Sequence, residues 1–184
     1  MNFSGIVLNG GSSSRMGRNK AEIIHKGRRL IDIVVESLIA AGANDVVIVG
    51  GSTRTSSLEK NVQYCEDLFP DEGPLGGVIT GLKNVESDIA VILACDYLDI
   101  DSSVILECIS KLNSRSMVFP FYEGKEQYLF STIRTKNVDL LESQFMNGVR
   151  SMHEASSFLD CEPYQSAQPE KLRSANTPSQ LNDG

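Results

Sequence analysis

The chain has no tryptophan and only two histidines, and it contains no apolar run long enough to cross a bilayer. No charged leader precedes an apolar stretch with a small-residue cleavage site, so a cytoplasmic protein without a membrane partner is expected. Positive charge is in deficit: 17 Lys and Arg against 24 Asp and Glu give a net charge of -7, which argues against a general binder of nucleic acid. The four cysteines, Cys65, Cys95, Cys108 and Cys161, lie far apart. They form no Cys-x-x-Cys pair and have no histidine at ligand spacing, so neither a zinc site nor a disulfide framework is indicated, and they read as small apolar residues. His25 and His153 stand in unrelated contexts and are read as non-catalytic. Ser12 to Ser14 lack a matched His and Asp, which leaves a serine hydrolase without support. With 184 residues and no internal repeat, one domain spanning 1–184 is expected.

What the chain does have is a punctuated loop directly after a β-branched run. Gly5-Ile6-Val7-Leu8 breaks into Asn9-Gly10-Gly11-Ser12-Ser13-Ser14-Arg15-Met16-Gly17-Arg18-Asn19-Lys20, the pattern of a buried strand ending in a tight loop. Glycine lets backbone approach a polyanion, successive N–H groups form an anion-binding concavity, and Arg15 and Lys20 add fixed positive charge. Gly17 is followed by Arg18 rather than by Lys and a hydroxyl residue, so this is no Walker A loop. Gly10, Gly11 and Gly17 do not make Gly-x-Gly-x-x-Gly either. Read on composition alone, it is a Gly/Ser turn linking a strand to a helix. The early basic residues Arg15, Arg18, Lys20, Lys26, Arg28 and Arg29 read either as a concentrated phosphate-facing charge or, for 26–29, as a solvated basic face.

Apolar residues recur at helical spacing from Leu30 to Ala41, with Gly42 as C-terminal cap, and Asp45 to Val49 follows as a strand closed by Gly50-Gly51-Ser52. Strand, helix and strand at this length make a right-handed βαβ unit with parallel strands. A turn of helix over 57–60, a strand over 62–65 and a second Gly-rich loop, Asp71 to Gly77, come next. Ile89 to Ala94 is continuously apolar, as a central strand covered on both faces requires. Asp96 stands just beyond it, where ligands sit in open parallel sheets, although it could equally cap a following helix, a role also open to Asp101 and Ser102. A helix over 104–112, strands over 116–120 and 127–133 around a turn at Glu123-Gly124-Lys125, and a helix over 138–145 complete the pattern.

The first loop resembles the signature Leu-x-Gly-Gly-x-Ser-x-Arg-Met-Gly-x-x-Lys of the MobA-like nucleotidyltransferases, the molybdenum cofactor guanylyltransferases among them. Further elements follow in family order: Asp67, Gly73-Pro74-Leu75-Gly76-Gly77, Cys95-Asp96, Gly148-Val149-Arg150 and Asn176-Thr177-Pro178. The resemblance implies a three-layer, doubly wound α/β fold with a mostly parallel sheet, the Rossmann-like fold of the nucleotide-diphospho-sugar transferases. It implies transfer of GMP from GTP to the terminal phosphate of molybdopterin, with release of pyrophosphate. By resemblance, Leu8, Asn9, Gly10, Gly11, Asp67 and Gly76 contact the nucleotide. Arg15 and Lys20 cover the departing phosphates, Asp96 holds Mg2+, and Gln127, Arg150 and Asn176 meet the acceptor; on the residues alone, Arg150 reads equally as a surface side chain opening a helix, and Asn176 as facing the metal or bracing the turn before Pro178. Transient contact with molybdenum cofactor delivery proteins is also compatible with it.

Three departures stand out. Asn9 replaces the usual Ala, Gly51 follows the second strand where some members have Asn, and Gln127-Tyr128 stands where Gln-Pro or His-Pro is frequent. They keep open a same-fold enzyme using CTP or another phosphate acceptor; a non-catalytic nucleotide-binding module, and an unrelated doubly wound protein with a ligand-free Gly-rich turn, stay open independently of them.

Overall fold

The structure, a computed structural model, describes residues 2–10, 20–56 and 61–175. The turn expected over 57–60 lies outside them. The chain begins with β1 (Ser4–Leu8) and passes through a 3-10 turn at Lys20–Glu22 into the hairpin β2 (Ile24–His25) and β3 (Arg28–Arg29). Then follow α1 (Leu30–Ala40), β4 (Val46–Val49), β5 (Val62–Cys65), α2 (Pro74–Leu82), β6 (Ile89–Ala94) and α3 (Ser102–Lys111). The second half holds β7 (Met117–Tyr122), β8 (Lys125–Glu126), β9 (Phe130–Arg134), α4 (Val138–Met146), α5 (Met152–Ser156) and β10 (Cys161–Gln165).

The main sheet runs β10-β7-β9-β6-β1-β4-β5, with β8 attached to β7. β6, β1, β4 and β5 are mutually parallel, whereas β9 is antiparallel to both β6 and β7. This is the mostly parallel sheet between two helical layers that the resemblance implies. Alternate residues of each central strand enter opposite cores: Val7, Ile48 and Leu93 pack with α1 and α3, while Ile6, Val49 and Ile92 pack with α2, α4 and α5. The period-2 side-chain geometry of a strand buried on both faces requires this division.

Some local expectations shift. The loop read through Gly77 is helical from Pro74, because proline at the first helical position lacks only an N–H that would have no intrahelical partner. Residues 127–129 lie outside the expected strand, which starts at Phe130; Gln127 instead donates its N–H to Pro120 O at 2.9 Å. The Glu123-Gly124 turn does close the β7–β8 hairpin, with both residues at positive φ as a two-residue turn of this hand demands. β10 carries a weak sequence pattern that predicts no strand; it is a half-exposed strand at the sheet edge, where Pro163 is tolerated.

Helix α2 can approach β1 because residue 81 has no side chain. A Cβ at Gly81 would sit 2.4 Å from Ile6 Cγ2. Replacing Gly81 with Ala should therefore lower the free energy of unfolding by about 1–3 kcal/mol through overpacking, despite the better helix propensity of alanine. Urea unfolding checks this, and an unchanged or raised midpoint would contradict the packing account.

Candidate nucleotide site

Because β6 and β1 are neighbouring parallel strands, the segments that leave their carboxyl ends are forced together. The Cys95 N–H donates to Leu8 O at 3.2 Å, and the Asn9 N–H donates to Val49 O at 2.9 Å, extending both ladders past the strand ends. Beyond them opens a cavity of about 460 Å³. Its wall includes Leu8, Asn9, Gly10, Lys20, Asp67 and Asp96. Six residues that the sequence places 88 positions apart at the extremes thus share one cleft, at the sheet end where open parallel sheets bind ligands.

Lys20 and Asp96 face each other across this cleft, with Lys20 Nζ 3.1 Å from Asp96 Oδ2 and both side chains mostly withdrawn from solvent. Lys20 is set by the 3-10 turn, where the Ile23 N–H donates to Lys20 O at 3.1 Å and Ala21 is fully buried. Asp96 is set from its other side by the Ala175 N–H, which donates to Asp96 O at 2.8 Å. It does not cap α3; Asp101 does, accepting from the Ser103 N–H at 2.9 Å. The thiol of Cys95 is pushed up to about 12 by burial, so it behaves as an apolar wall group.

The two departures Asn9 and Gly51 prove to be neighbours. Asn9 is 5% exposed, and its amide donates to Thr53 O at 3.0 Å. A Cβ at Gly51, which has φ +62°, would lie 2.2 Å from Asn9 O and 2.7 Å from Asn9 Nδ2. A side chain at 51 and the amide of Asn9 cannot occupy this space together. Asn9 Oδ1 is buried and has no hydrogen-bond partner among the described residues.

Several expected residues lie elsewhere. Gly77, one position after Gly76, lines the cavity; a Cβ on Gly76 would point at Phe69 and Phe145 on the far side of α2. Arg150 lines neither cavity. Its guanidinium pairs with Glu72 at 3.0 Å and stacks 4.2 Å over the Phe145 ring, while its carbonyl accepts the Leu75 N–H of α2 at 3.2 Å. It braces the start of α2. The basic run at 26–29 is likewise spent locally, since Lys26 pairs with Asp99, Arg28 with Glu36 and Arg29 with Asp32. Among the described residues, Lys20 is the basic side chain in the cavity wall. Gly11, Arg15 and Asn176, with Thr177 and Pro178, lie outside the described residues.

A second cavity of about 300 Å³ adjoins the first, sharing Pro74, Ala94, Asp96 and Leu129 with it. Gln127, Tyr128 and His153 line it. Tyr128 packs on Phe119 at 4.4 Å and donates its hydroxyl to Glu126 at 2.6 Å; burial first, then that carboxylate, pushes the phenol up and keeps it a donor at neutral pH. Asp96 stands at the seam of the two cavities, a position that suits a group acting on both of two reactants. His153, read from sequence as lacking a partner, is in this wall, and only the fold could have placed it there.

The family model of the MobA-like NTP transferase domain matches residues 5–160. The chain belongs to the MobA-like NTP transferase family. A Bacillus cereus protein named probable molybdenum cofactor guanylyltransferase is 29% identical over 157 residues, covering 82% of this chain and 77% of that one. A Bacillus mycoides protein of the same name is 28% identical over 156 residues, covering 81% and 76%. Among solved structures, the molybdopterin-guanine dinucleotide biosynthesis protein A from Archaeoglobus fulgidus superposes with a TM-score of 0.74 at 22% identity, covering 97% of this chain and 94% of that one. The 2-C-methyl-D-erythritol 4-phosphate cytidylyltransferase from Thermus thermophilus gives 0.75 at 11% identity, covering 98% and 96%. The fold is therefore the nucleotidyltransferase fold, and the chain is a nucleotidyltransferase by family.

One carboxylate ties the site together from behind. Asp99 accepts from Lys26 at 2.7 Å, from Arg173 at 2.6 Å, and faces His25 Nε2 at 3.1 Å. It thereby joins the hairpin that follows Lys20 to the segment that runs antiparallel beside Tyr97. Burial pushes the Asp99 carboxyl up, but the donors Lys26, Arg173 and His25 outweigh it and hold it well below the usual carboxylate range. A depressed folded pKa contributes stability that is complete above the unfolded value of about 4 and is lost as pH falls through the lower folded value. Asp99→Asn should lower the melting temperature at neutral pH, with the gap to the parent narrowing below about pH 4. A gap that stays constant or widens in acid would contradict the assignment.

Proposed function

We propose that the chain transfers GMP from GTP to the terminal phosphate of molybdopterin, forming a guanine dinucleotide cofactor and releasing pyrophosphate. The observation that carries this reading is the facing pair Lys20 and Asp96, 3.1 Å apart, in a cleft at the carboxyl ends of β6 and β1 of a MobA-like chain. The names of the Bacillus relatives support the choice of nucleotide and acceptor.

The chemistry needs little more than placement and charge. An acceptor phosphate is ionised at neutral pH, so its oxygen attacks the α-phosphorus without a strong general base as the α–β bridging bond breaks and pyrophosphate leaves. Lys20 neutralises charge on the departing phosphates, and the seam at Asp96 keeps acceptor and nucleotide adjacent. Arg15 would act with Lys20. No group of three or more His, Cys, Asp or Glu that could form a metal site occurs among the described residues. A lone carboxylate still fits Mg2+, which binds through one or two carboxylates together with substrate phosphates and water. Asp96 would hold that ion, which when bound with the nucleotide supplies further charge neutralisation at the phosphates.

A different phosphate acceptor is favoured by one observation. Among the described residues lining the second cavity there is no Lys or Arg, whereas Glu126 and Asp96 are present. An acceptor carrying several hydroxyl or amide groups around its phosphate suits Gln127, Tyr128 and His153 better than a polyanion does.

Lys20→Ala and Asp96→Asn should each reduce pyrophosphate release from Mg2+-GTP and molybdopterin by roughly 100- to 1,000-fold, with unchanged circular dichroism. Near-parental rates in either folded variant would remove that residue's role. Mg2+-GTP should also raise the melting temperature more than Mg2+-CTP at equal concentration, and equal protection by both would count against guanine preference.

A further inference from the structure

The order of the strands gives a bound nucleotide a direction. From Asp96 the carboxyl ends run β6, β1, β4, β5, and at about 4.8 Å per strand the chain leaving β5 is roughly 14 Å from Asp96. With phosphates at Lys20 and Asp96, the base reaches the part of the cavity bounded by Val49, Asp67, Asp71 and Gly77. The charged side chains of that wall are two carboxylates.

They are not equivalent. Asp67 Oδ1 already accepts from the Phe69 N–H at 2.9 Å and the Thr80 hydroxyl at 3.1 Å. Asp71 is exposed and makes no hydrogen bond or ion pair with any described residue, so both of its oxygens face water in the free protein and are available to a ligand in the cavity. Its backbone is left-handed, with φ 63°, a conformation that Asp and Asn tolerate. The turn is held on either side: the Glu72 N–H donates to Phe69 O at 3.3 Å, and the Glu72 carboxylate pairs with Arg150 at 3.0 Å. The Glu72–Arg150 pair, half-exposed on both sides, thus flanks the turn that presents Asp71.

We infer that Asp71 reads the Watson–Crick edge of guanine and sets base specificity, an assignment that rests on the nucleotide reading of this cavity. Guanine presents two adjacent donors, N1–H and the 2-amino group, which match the two oxygens of one carboxylate. Adenine and cytosine set an amino donor beside a ring-nitrogen lone pair, so one oxygen of Asp71 would face another acceptor. Hypoxanthine keeps N1–H but lacks the 2-amino group, leaving one oxygen desolvated and unpaired. Asp71 is a specificity residue and takes no part in phosphoryl chemistry.

Titration calorimetry of the full chain with Mg2+-GTP, Mg2+-ITP and Mg2+-CTP tests this, using the parent and Asp71→Asn, which keeps the left-handed turn available. The parent should bind GTP about tenfold more tightly than ITP. Asp71→Asn should lose about tenfold in GTP affinity and erase the gap between GTP and ITP. Removal of a negative charge beside a polyanion would by itself tighten all three nucleotides, so a loss confined to GTP isolates the contact. If Asp71→Asn keeps the parental GTP-to-ITP ratio while GTP still outbinds CTP, the Asp71 assignment is overturned and the GTP reading stands. If the parent binds CTP as well as GTP, the GTP reading falls and the Asp71 assignment with it.

Discussion

The ion pair between Lys20 and Asp96 is the constraint from which the site follows. Its partners come from segments that leave β1 and β6, and they meet only because those strands are parallel neighbours in matched register, Leu8 beside Ala94. Such a pair, partly withdrawn from water at the mouth of a cavity, is a poor investment as a stabiliser, since desolvation offsets much of the Coulomb gain. Its position makes sense if a polyanion arrives between the two groups and each finds a better partner there. The Asp99 cluster behind it and the Ala175 N–H beside it hold the two segments in place before anything binds.

The fold was largely legible in the chain. The apolar runs at 4–8, 46–49 and 89–94 and the helical spacing over 30–40 are strong local signals, and each forms the expected element. Where reading failed, a local signal was absent or ambiguous. α2 begins in Pro74-Leu75-Gly76-Gly77, residues that speak for a turn, and becomes helical because its glycines allow it to lie against β1. β10, in which Glu162, Pro163 and Gln165 are exposed without strict alternation, is specified by its parallel pairing to β7 rather than by its own pattern.

The site was legible in part. Lys20, Asp67 and Asp96 could be picked out because motif and strand end coincide, and the fold brings all three to one cavity. Charge is harder to read, because a sequence does not reveal which carboxylate a cation will meet. Lys26, Arg28 and Arg29 are matched by Asp99, Glu36 and Asp32, and Arg150 by Glu72. Gly76 and Gly77 differ by one helical step, which rotates one toward Phe69 and the other toward the cavity. Asp71 and His153 had no motif of their own and acquire meaning only from the walls in which they stand.

The account rests on a nucleotide lying across the carboxyl ends of β6, β1, β4 and β5 with its phosphates at Lys20 and Asp96. The crystal structure of the chain with Mg2+ and GTP tests this most directly. The account predicts phosphate oxygens within hydrogen-bonding distance of Lys20 Nζ, the metal on Asp96, and the base beside β5. A nucleotide seated in the second cavity, or reversed so that its base lies at Asp96, would contradict it.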